Sequence, residues 1–425
     1  MSTAGPTAAV TRNWASNVVY GAADVVAPGS LDELADVVRS ADRVKALGSR
    51  HCFNTIADTD GLHVVSSRLP AEVGIDSERG VVRAAAGLRY GDLAPALHRE
   101  GWALANLASL PHISLAGAVA TGTHGSGDAV SSLASAVAGV ELVTADGELR
   151  TFRRGDADFE GVVVSLGALG IVTALELDLV PAFDVAQTVY ERLPLDAVLD
   201  DLEAVTGLGY SVSMFHTWRD PDVVDQLWVK RRADAAGTLP EAVLGAAKAS
   251  VKRHPLPDVS ADSCTDQLGA PGEWYARLPH FKLEFTPSNG EELQSEFLVP
   301  RRHAVAAIAT MRDLADRVAP LLQVCELRTV ARDDLWLSSA YGADVLGIHF
   351  TWKPDQAGVE RLLPLIERAL EPMDARPHWG KLFTLEGADE RMPRLYPRWT
   401  DFAELRERLD PRGVFRNDFL ARLGL

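Results

Sequence analysis

Residues 108–127 read ASLPHISLAGAVATGTHGSG, and from Ser109 onward most positions are Gly, Ala, Ser, Thr or His. Small side chains and repeated glycines let backbone N–H groups approach a ligand closely, and successive amides of this kind form a nest for phosphate. A small-residue packing surface between a helix and a sheet is the alternative. The familiar phosphate fingerprints are missing: there is no Gly-x-x-x-x-Gly-Lys-Ser/Thr and no Gly-x-Gly-x-x-Gly opening a helix. Ser126 is not a nucleophile elbow, because His124 stands where a glycine is required. The pattern therefore predicts a diphosphate-bearing cofactor held outside the usual motifs.

Working outward, residues 44–54 read VKALGSRHCFN. An apolar run breaks at Leu47-Gly48-Ser49, and Arg50, His51 and Cys52 follow. His51 admits four readings: metal ligand, base, packing residue, or anchor for something larger. With His112 and His124 it forms no His-x-x-x-His or Cys-x-x-Cys spacing, so no metal is expected.

Residues 322–330, LQVCELRTV, read as a strand, and residues two apart share a face. Leu322, Val324, Glu326, Arg328 and Val330 are thus predicted to point one way, with two charges interrupting an apolar face. A mutually neutralising ion pair is one reading, and a polar patch aimed into a cleft is the other. Phe350-Thr351-Trp352 and His378-Trp379-Gly380-Lys381 read as further strand-like segments with isolated polar groups. On the residues alone, Lys381 is a solvated surface lysine.

The chain of 425 residues is too long for one ordinary core, so two domains are expected. With 42 Lys+Arg against 59 Asp+Glu the net charge is -17, which argues against nucleic acid and anionic membranes as partners. Three cysteines, Cys52, Cys264 and Cys325, make no disulfide framework and fit a reducing cytoplasm. The start, MSTAGPTAAVTRNW, lacks a basic region followed by an apolar block, so no secretion signal is expected. Ser30 to Glu33 has capping-box form before a helix, and short strands alternate with helices to about Pro181. The apolar stretch from Gly161 to Leu179 reads as buried strand and turn. Beyond it come longer strands, a loop-rich segment from Ala233 to Pro271, and helices over Arg301 to Ala319 and Val359 to Leu370. The absence of a low-complexity linker predicts a wide domain interface.

The ordered landmarks LGSRHCFN, ASLPHISLAGAVATGTHGSG, SLGALGIVT, CELRT, HFTW and PHWGK together resemble the vanillyl-alcohol-oxidase-type (PCMH-type) family of FAD-linked oxidases, above all its alditol-oxidising branch. The likeness runs from Asn13-Trp14 to Phe415-x-Asn417. It implies an α+β fold: an α/β FAD-binding domain over 1–182, a cap domain over 183–381 built on an antiparallel sheet with helices, and a segment 382–425 returning to the first domain. It also implies covalent FAD, linked through His51 to the flavin 8α-methyl group.

By the same resemblance, Ala46, Leu47, Gly48, Ser49, Arg50, His51 and Cys52 form one side of the cofactor cradle. Ser109, Ser114, Gly117, Thr121, Gly122, Thr123 and His124 form the other, with Val172 toward the adenosine and His378 near the isoalloxazine. Ser109, Glu326, Arg328, Thr351 and Lys381 match the polyol pocket. The implied reaction is hydride transfer from a terminal primary alcohol to flavin N5, with O2 reduced to H2O2. Lys381 and Arg328 are expected to stabilise alkoxide, Glu326 to bind hydroxyls, and His378 to accept the proton. Ala108 is small enough to leave room for O2. Relatives usually carry glycine before the histidine and serine after it, where this chain has Arg50 and Cys52. A monomer with single flavin attachment is expected. The competing expectations are a sugar-lactone oxidase or dehydrogenase, and a non-catalytic carbohydrate binder using Trp218, Trp336, Trp352 and Trp379 as stacking platforms.

Overall fold

A computed structural model describes residues 12–285 and 291–425. The expectation about a secretion signal falls mostly on residues 1–11, outside that range. Among the described residues, no helix is long and apolar enough to cross a membrane.

The first part of the chain holds two principal sheets, besides a two-residue antiparallel pairing of Trp102–Ala103 with Val180–Pro181. Strands Asp24–Val26, Leu62–Val64 and Val44–Ala46 pair in parallel, in that spatial order. The helix Leu31–Ser40 packs Leu34 and Val38 into a cluster with Val143, Ile171 and Phe415. Ser30 caps it by accepting from Glu33 N, as expected, but Glu33 reaches back to Gly29 N at 2.7 Å rather than to Ser30. A five-stranded sheet follows, ordered Val73–Asp76, Val81–Ala85, Ile171–Asp178, Val137–Val143, Leu149–Arg153, and every pair is antiparallel. Among the described residues, parallel strand pairing, the mark of an α/β unit, is therefore confined to the small sheet, with only isolated parallel bridges such as Gly127 to Val330 elsewhere.

The run from Gly161 corrects the strand expectation, because Phe159–Val163 is a helix and the strand begins only at Ile171. A short buried apolar run carries no periodicity that separates the two states. Gly161 is fixed by contact: an added Cβ would meet the Trp336 ring at 2.5 Å.

From Asp184 onward an antiparallel sheet dominates. Its central order is Asp184–Pro194, Val223–Arg232, Ser211–His216, Leu322–Val330, Val345–Trp352, Leu293–Pro300, with the two-residue strand Arg376–Pro377 at the edge. Alternation divides its faces. Phe297, Val299, Cys325, Leu327, Phe350 and Trp352 join one core with helices Ala304–Asp313 and Gln356–Leu370. The helix expected over Arg301 to Ala319 is divided, opening as a 3-10 turn over Arg301–His303 and breaking at Leu314 before Ala315–Val318. The opposite face carries Glu296, His349 and Glu326 in direct register across three strands.

Two local readings of these strands are corrected. A register shift between Leu322 and Val324 pairs Leu322 with Trp352 and Val324 with Thr351. Leu322 thus joins the helix-side core while Val324 clusters with Phe215, so the five residues do not all share a face. His378 to Lys381 is a turn, closed by Lys381 N on His378 O at 3.0 Å.

The chain end returns to the first part. Val44 N donates to Val414 O at 2.9 Å, and Asn417 Nδ2 donates to the carbonyls of Ile56 and Asp58 at 3.0 and 2.8 Å. The sheet-bearing part meets the first part through backbone bonds: Gly127 N to Thr329 O at 2.9 Å, His280 N to Ser109 O at 3.0 Å, and Phe53 N to Gly380 O at 2.8 Å.

Candidate active site

One cavity runs between the loop after strand Val44–Ala46, the small-residue run and the polar face of the large sheet. Every residue named above for the cofactor cradle, the polyol pocket or catalysis lines it except Gly122. Gly122 instead ends the helix Leu115–Ala120 with φ +64, a left-handed turn that glycine makes without a Cβ penalty.

The two loops touch where a phosphate nest was expected. Ser114 N donates to Ser49 Oγ at 3.1 Å. A Cβ added at Gly48 or Gly117 would meet Ser114 Oγ at 2.6 or 2.8 Å, so both glycines keep this wall bare. Ser114 Oγ is buried without a partner, an unmet hydroxyl against the cavity. Thr121 Oγ1 donates to Gly117 O at 3.0 Å and meets Thr123 Oγ1 at 3.1 Å, which braces the same run.

His51 stacks on Trp14 at 5.4 Å between ring centroids, and both its ring nitrogens are buried without a partner. Burial, then the nearby His112, pushes its imidazole down to about 4. A neutral ring with unoccupied nitrogens on a cavity wall has the chemistry an N-alkyl link requires. Arg50 takes φ +64, a left-handed conformation that glycine adopts without strain and a residue with a Cβ does not. Its exposed side chain reaches Arg12 O at 3.4 Å. Cys52 is a free thiol that burial pushes up to about 12.

On the sheet face, charges form one connected network. Glu296, which sits behind the cavity wall, receives Lys381 Nζ at 2.6 Å and Arg328 Nη2 at 3.1 Å. Arg328 Nη1 donates to Ser109 Oγ at 3.1 Å and lies 3.6 Å from Glu326 Oε2. Glu326 also accepts from His280 Nε2 at 2.9 Å and His349 Nδ1 at 3.4 Å. Burial acts to raise both carboxyls. Arg328 with Lys381 at Glu296, and Arg328 with His280 at Glu326, overcome it and hold both well below the usual range. Burial lowers Lys381 against the opposing pull of Glu296. Gly347 makes room, since an added Cβ would lie 3.0 Å from Glu296 Oε1.

Tautomers follow from these bonds. His378 Nδ1 accepts the Gly380 N–H at 3.1 Å, and burial, then Lys381, keeps the ring neutral, so its proton is on Nε2. In this geometry His378 presents a donor, Nε2–H, because its acceptor nitrogen is already taken by Gly380. His349 is the reverse. Its Nδ1–H serves the ionised Glu326, while burial, then Lys381, pushes the ring down to about 4. Its Nε2 lone pair, buried and without a partner, belongs to a cavity-lining residue.

Glu296, His280 and His349 were missed by sequence reasoning. His349 had a signal, standing two residues before Thr351 and so on its face. Glu296 had a weaker one, a charge inside the apolar strand Leu293–Pro300. His124, Glu296 and His378 present ligand atoms within 4.8 Å of one another. Lys381 and Arg328 already neutralise that carboxylate, so the cluster is built as an ion-pair network. Trp218, Trp336, Trp352 and Trp379 are at most 6% exposed and serve the core, which removes the stacking-platform reading.

The fold and cavity are those of a two-domain FAD-binding oxidase. An FAD-binding-domain model matches residues 22–153, and the D-arabinono-1,4-lactone oxidase model matches residues 288–423. Alditol oxidase from a Streptomyces species is 50% identical over 97% of this chain and 98% of that protein. L-gulono-1,4-lactone dehydrogenase of Mycobacterium tuberculosis is 29% identical over 97% and 99%. A crystal structure of cholesterol oxidase from B. sterolicum superposes with a TM-score of 0.78 at 15% identity, covering 97% of this chain and 96% of that one, and speaks for the fold alone. The chain belongs to the vanillyl-alcohol-oxidase-type family of FAD-linked oxidases, in the group that holds alditol oxidase.

Proposed function

We propose that the chain oxidises the terminal primary alcohol of an acyclic polyol, such as xylitol or sorbitol, to the aldose while O2 is reduced to H2O2. The observation that carries this is the convergence of Ser109, Glu326, Arg328, Thr351 and Lys381 on one cavity in a chain 50% identical to an alditol oxidase. Bound FAD supplies the two-electron acceptor. The cradle of Gly48, Ser114 and Gly117 would hold its diphosphate, and His51 its ring system through a ring nitrogen, which the partnerless imidazole supports.

The protein's own contribution is charge and position. Lys381 and Arg328 stabilise negative charge on the reacting hydroxyl oxygen. His349 Nε2 takes its proton, being neutral and directed by Glu326. Ionised Glu326, Ser109 and Thr351 bind hydroxyls along the chain, and His378 Nε2–H donates near the ring system. Ala108, buried on the cavity wall, leaves space for O2.

Domain limits at about residues 182 and 381 fit the same reading, because the large sheet spans Asp184 to Pro377. The three cysteines are free, which supports a reducing cytoplasm, and the proposed monomer is open to sedimentation analysis. The second reading, a sugar-lactone oxidase, draws on the match over residues 288–423. A panel of polyols and aldonolactones, followed by peroxide release, decides between them. The protein is expected to be yellow, to keep its flavin through acid precipitation and to respond to polyols; a response to lactones alone sinks the reading.

A further inference from the structure

Behind Glu326 lies a buried cation that none of the steps above uses. Lys230, on the strand Val223–Arg232, is 1% exposed. Its Nζ has three partners: Leu278 O at 2.5 Å, Pro279 O at 3.2 Å and His280 Nδ1 at 3.0 Å. Three acceptors match the three N–H bonds of an ammonium. Burial pushes this amine down to about 7, while the charge on Glu326 favours its protonated form.

The bond to Lys230 decides what His280 does. With Nδ1 accepting from the ammonium, the ring proton sits on Nε2 and is given to Glu326 Oε1 at 2.9 Å. Phe215 and Trp228 stand edge-on to this ring at 5.5 and 5.3 Å between centroids, which keeps it from turning over. Were the proton on Nδ1, a lone pair would face a buried carboxylate, and Glu326 would lose its shortest bond.

We propose that Lys230 is a positioning residue for polyol recognition. By occupying Nδ1 of His280 it locks the tautomer that holds Oε1 of Glu326. That leaves the Oε2 edge for His349 and for substrate hydroxyls. This rests on the polyol-oxidase reading, and it places the control of a substrate-binding carboxylate one side chain behind the cavity wall, on a different strand.

The test is Lys230→Met in the flavin-loaded enzyme, with Lys230→Gln, which keeps a donor, beside it. Lys230→Met is expected to raise KM for xylitol about tenfold or more, with a smaller change in kcat. Ring-15N spectra of histidine-labelled protein read the tautomer directly. Wild type should show His280 with its proton on Nε2, and Lys230→Met a mixture. Lys230→Gln should fall between them on both measures, and it carries the test alone if the Met variant does not fold. A wild-type KM together with an unchanged His280 spectrum in either variant overturns the proposal. A wild-type enzyme inert to polyols would instead sink the functional reading, while the tautomer measurement still decides the Lys230–His280 relationship.

Discussion

Lys381 Nζ lies 2.6 Å from Oε2 of Glu296, a carboxylate with no exposed surface on its side chain. The amine that lines the cavity is thus aimed by an acid that does not. Glu296 also holds Arg328, so one buried anion orients both cations proposed to face the reacting hydroxyl.

Glu296→Gln keeps the shape and removes the charge. Flavin reduction by xylitol under anaerobic conditions is expected to slow roughly a hundredfold, because both cations lose their common anchor. Stopped-flow absorbance checks this, and thermal unfolding should show a parallel loss of stability, since breaking a buried pair costs about 3–5 kcal/mol. A rate within twofold of wild type would remove Glu296 from the mechanism.

His349→Phe fills the same space without a lone pair. The yellow colour should persist while the reduction rate drops by about two orders of magnitude. His378→Phe, in contrast, removes a donor to the cavity and the acceptor of the Gly380 N–H, and should be the milder change in rate. The reverse ranking would restore His378 as the proton acceptor.

Arg50→Gly should stabilise the protein by about 1 kcal/mol, since φ +64 strains any residue with a Cβ. Differential scanning calorimetry reads the gain, and flavin retention after acid precipitation should be unaltered. A fall in melting temperature would mean that the Arg50 side chain supports the loop.

His254, His280 and His349 are each depressed from 6.5 to about 4 by burial. A histidine whose folded pKa is lowered takes up its proton more readily when unfolded. Stability therefore falls as pH drops from about 6.5 toward 4, with a slope of at most about 1.4 kcal/mol per pH unit for each ring. Glu296 and Glu326, held below the usual carboxylate range, extend the loss to lower pH. Melting temperatures at pH 7.5, 6 and 5 should decline in that order; a flat profile would mean that these rings are solvated.

The polar strand face was legible because alternation in Glu326-Leu327-Arg328 needs no partner to be read. The small-residue run was legible for a similar local reason. Lys381 was read as a site residue only through the family resemblance, and Glu296 was not read at all, because its meaning depends on which strands adjoin. Leu293–Pro300 and Leu322–Val330 both pair with Val345–Trp352, and no local pattern states that. The bulge that moves Leu322 to the other face is invisible for the same reason. The role of His378 turned on one backbone N–H, from Gly380, which becomes visible only once the segment is seen as a turn.

Asn54 Nδ2 donates to the carbonyls of Trp379 and Lys381 at 2.8 and 2.7 Å, while Asn417 fastens the carbonyls of Ile56 and Asp58. The loop that carries His51 is thus clasped by partners 325 to 361 positions away along the chain. No short segment can close this wall by itself, so the cavity is a product of long-range assembly, and its formation is tied to the slow, high-contact-order part of folding.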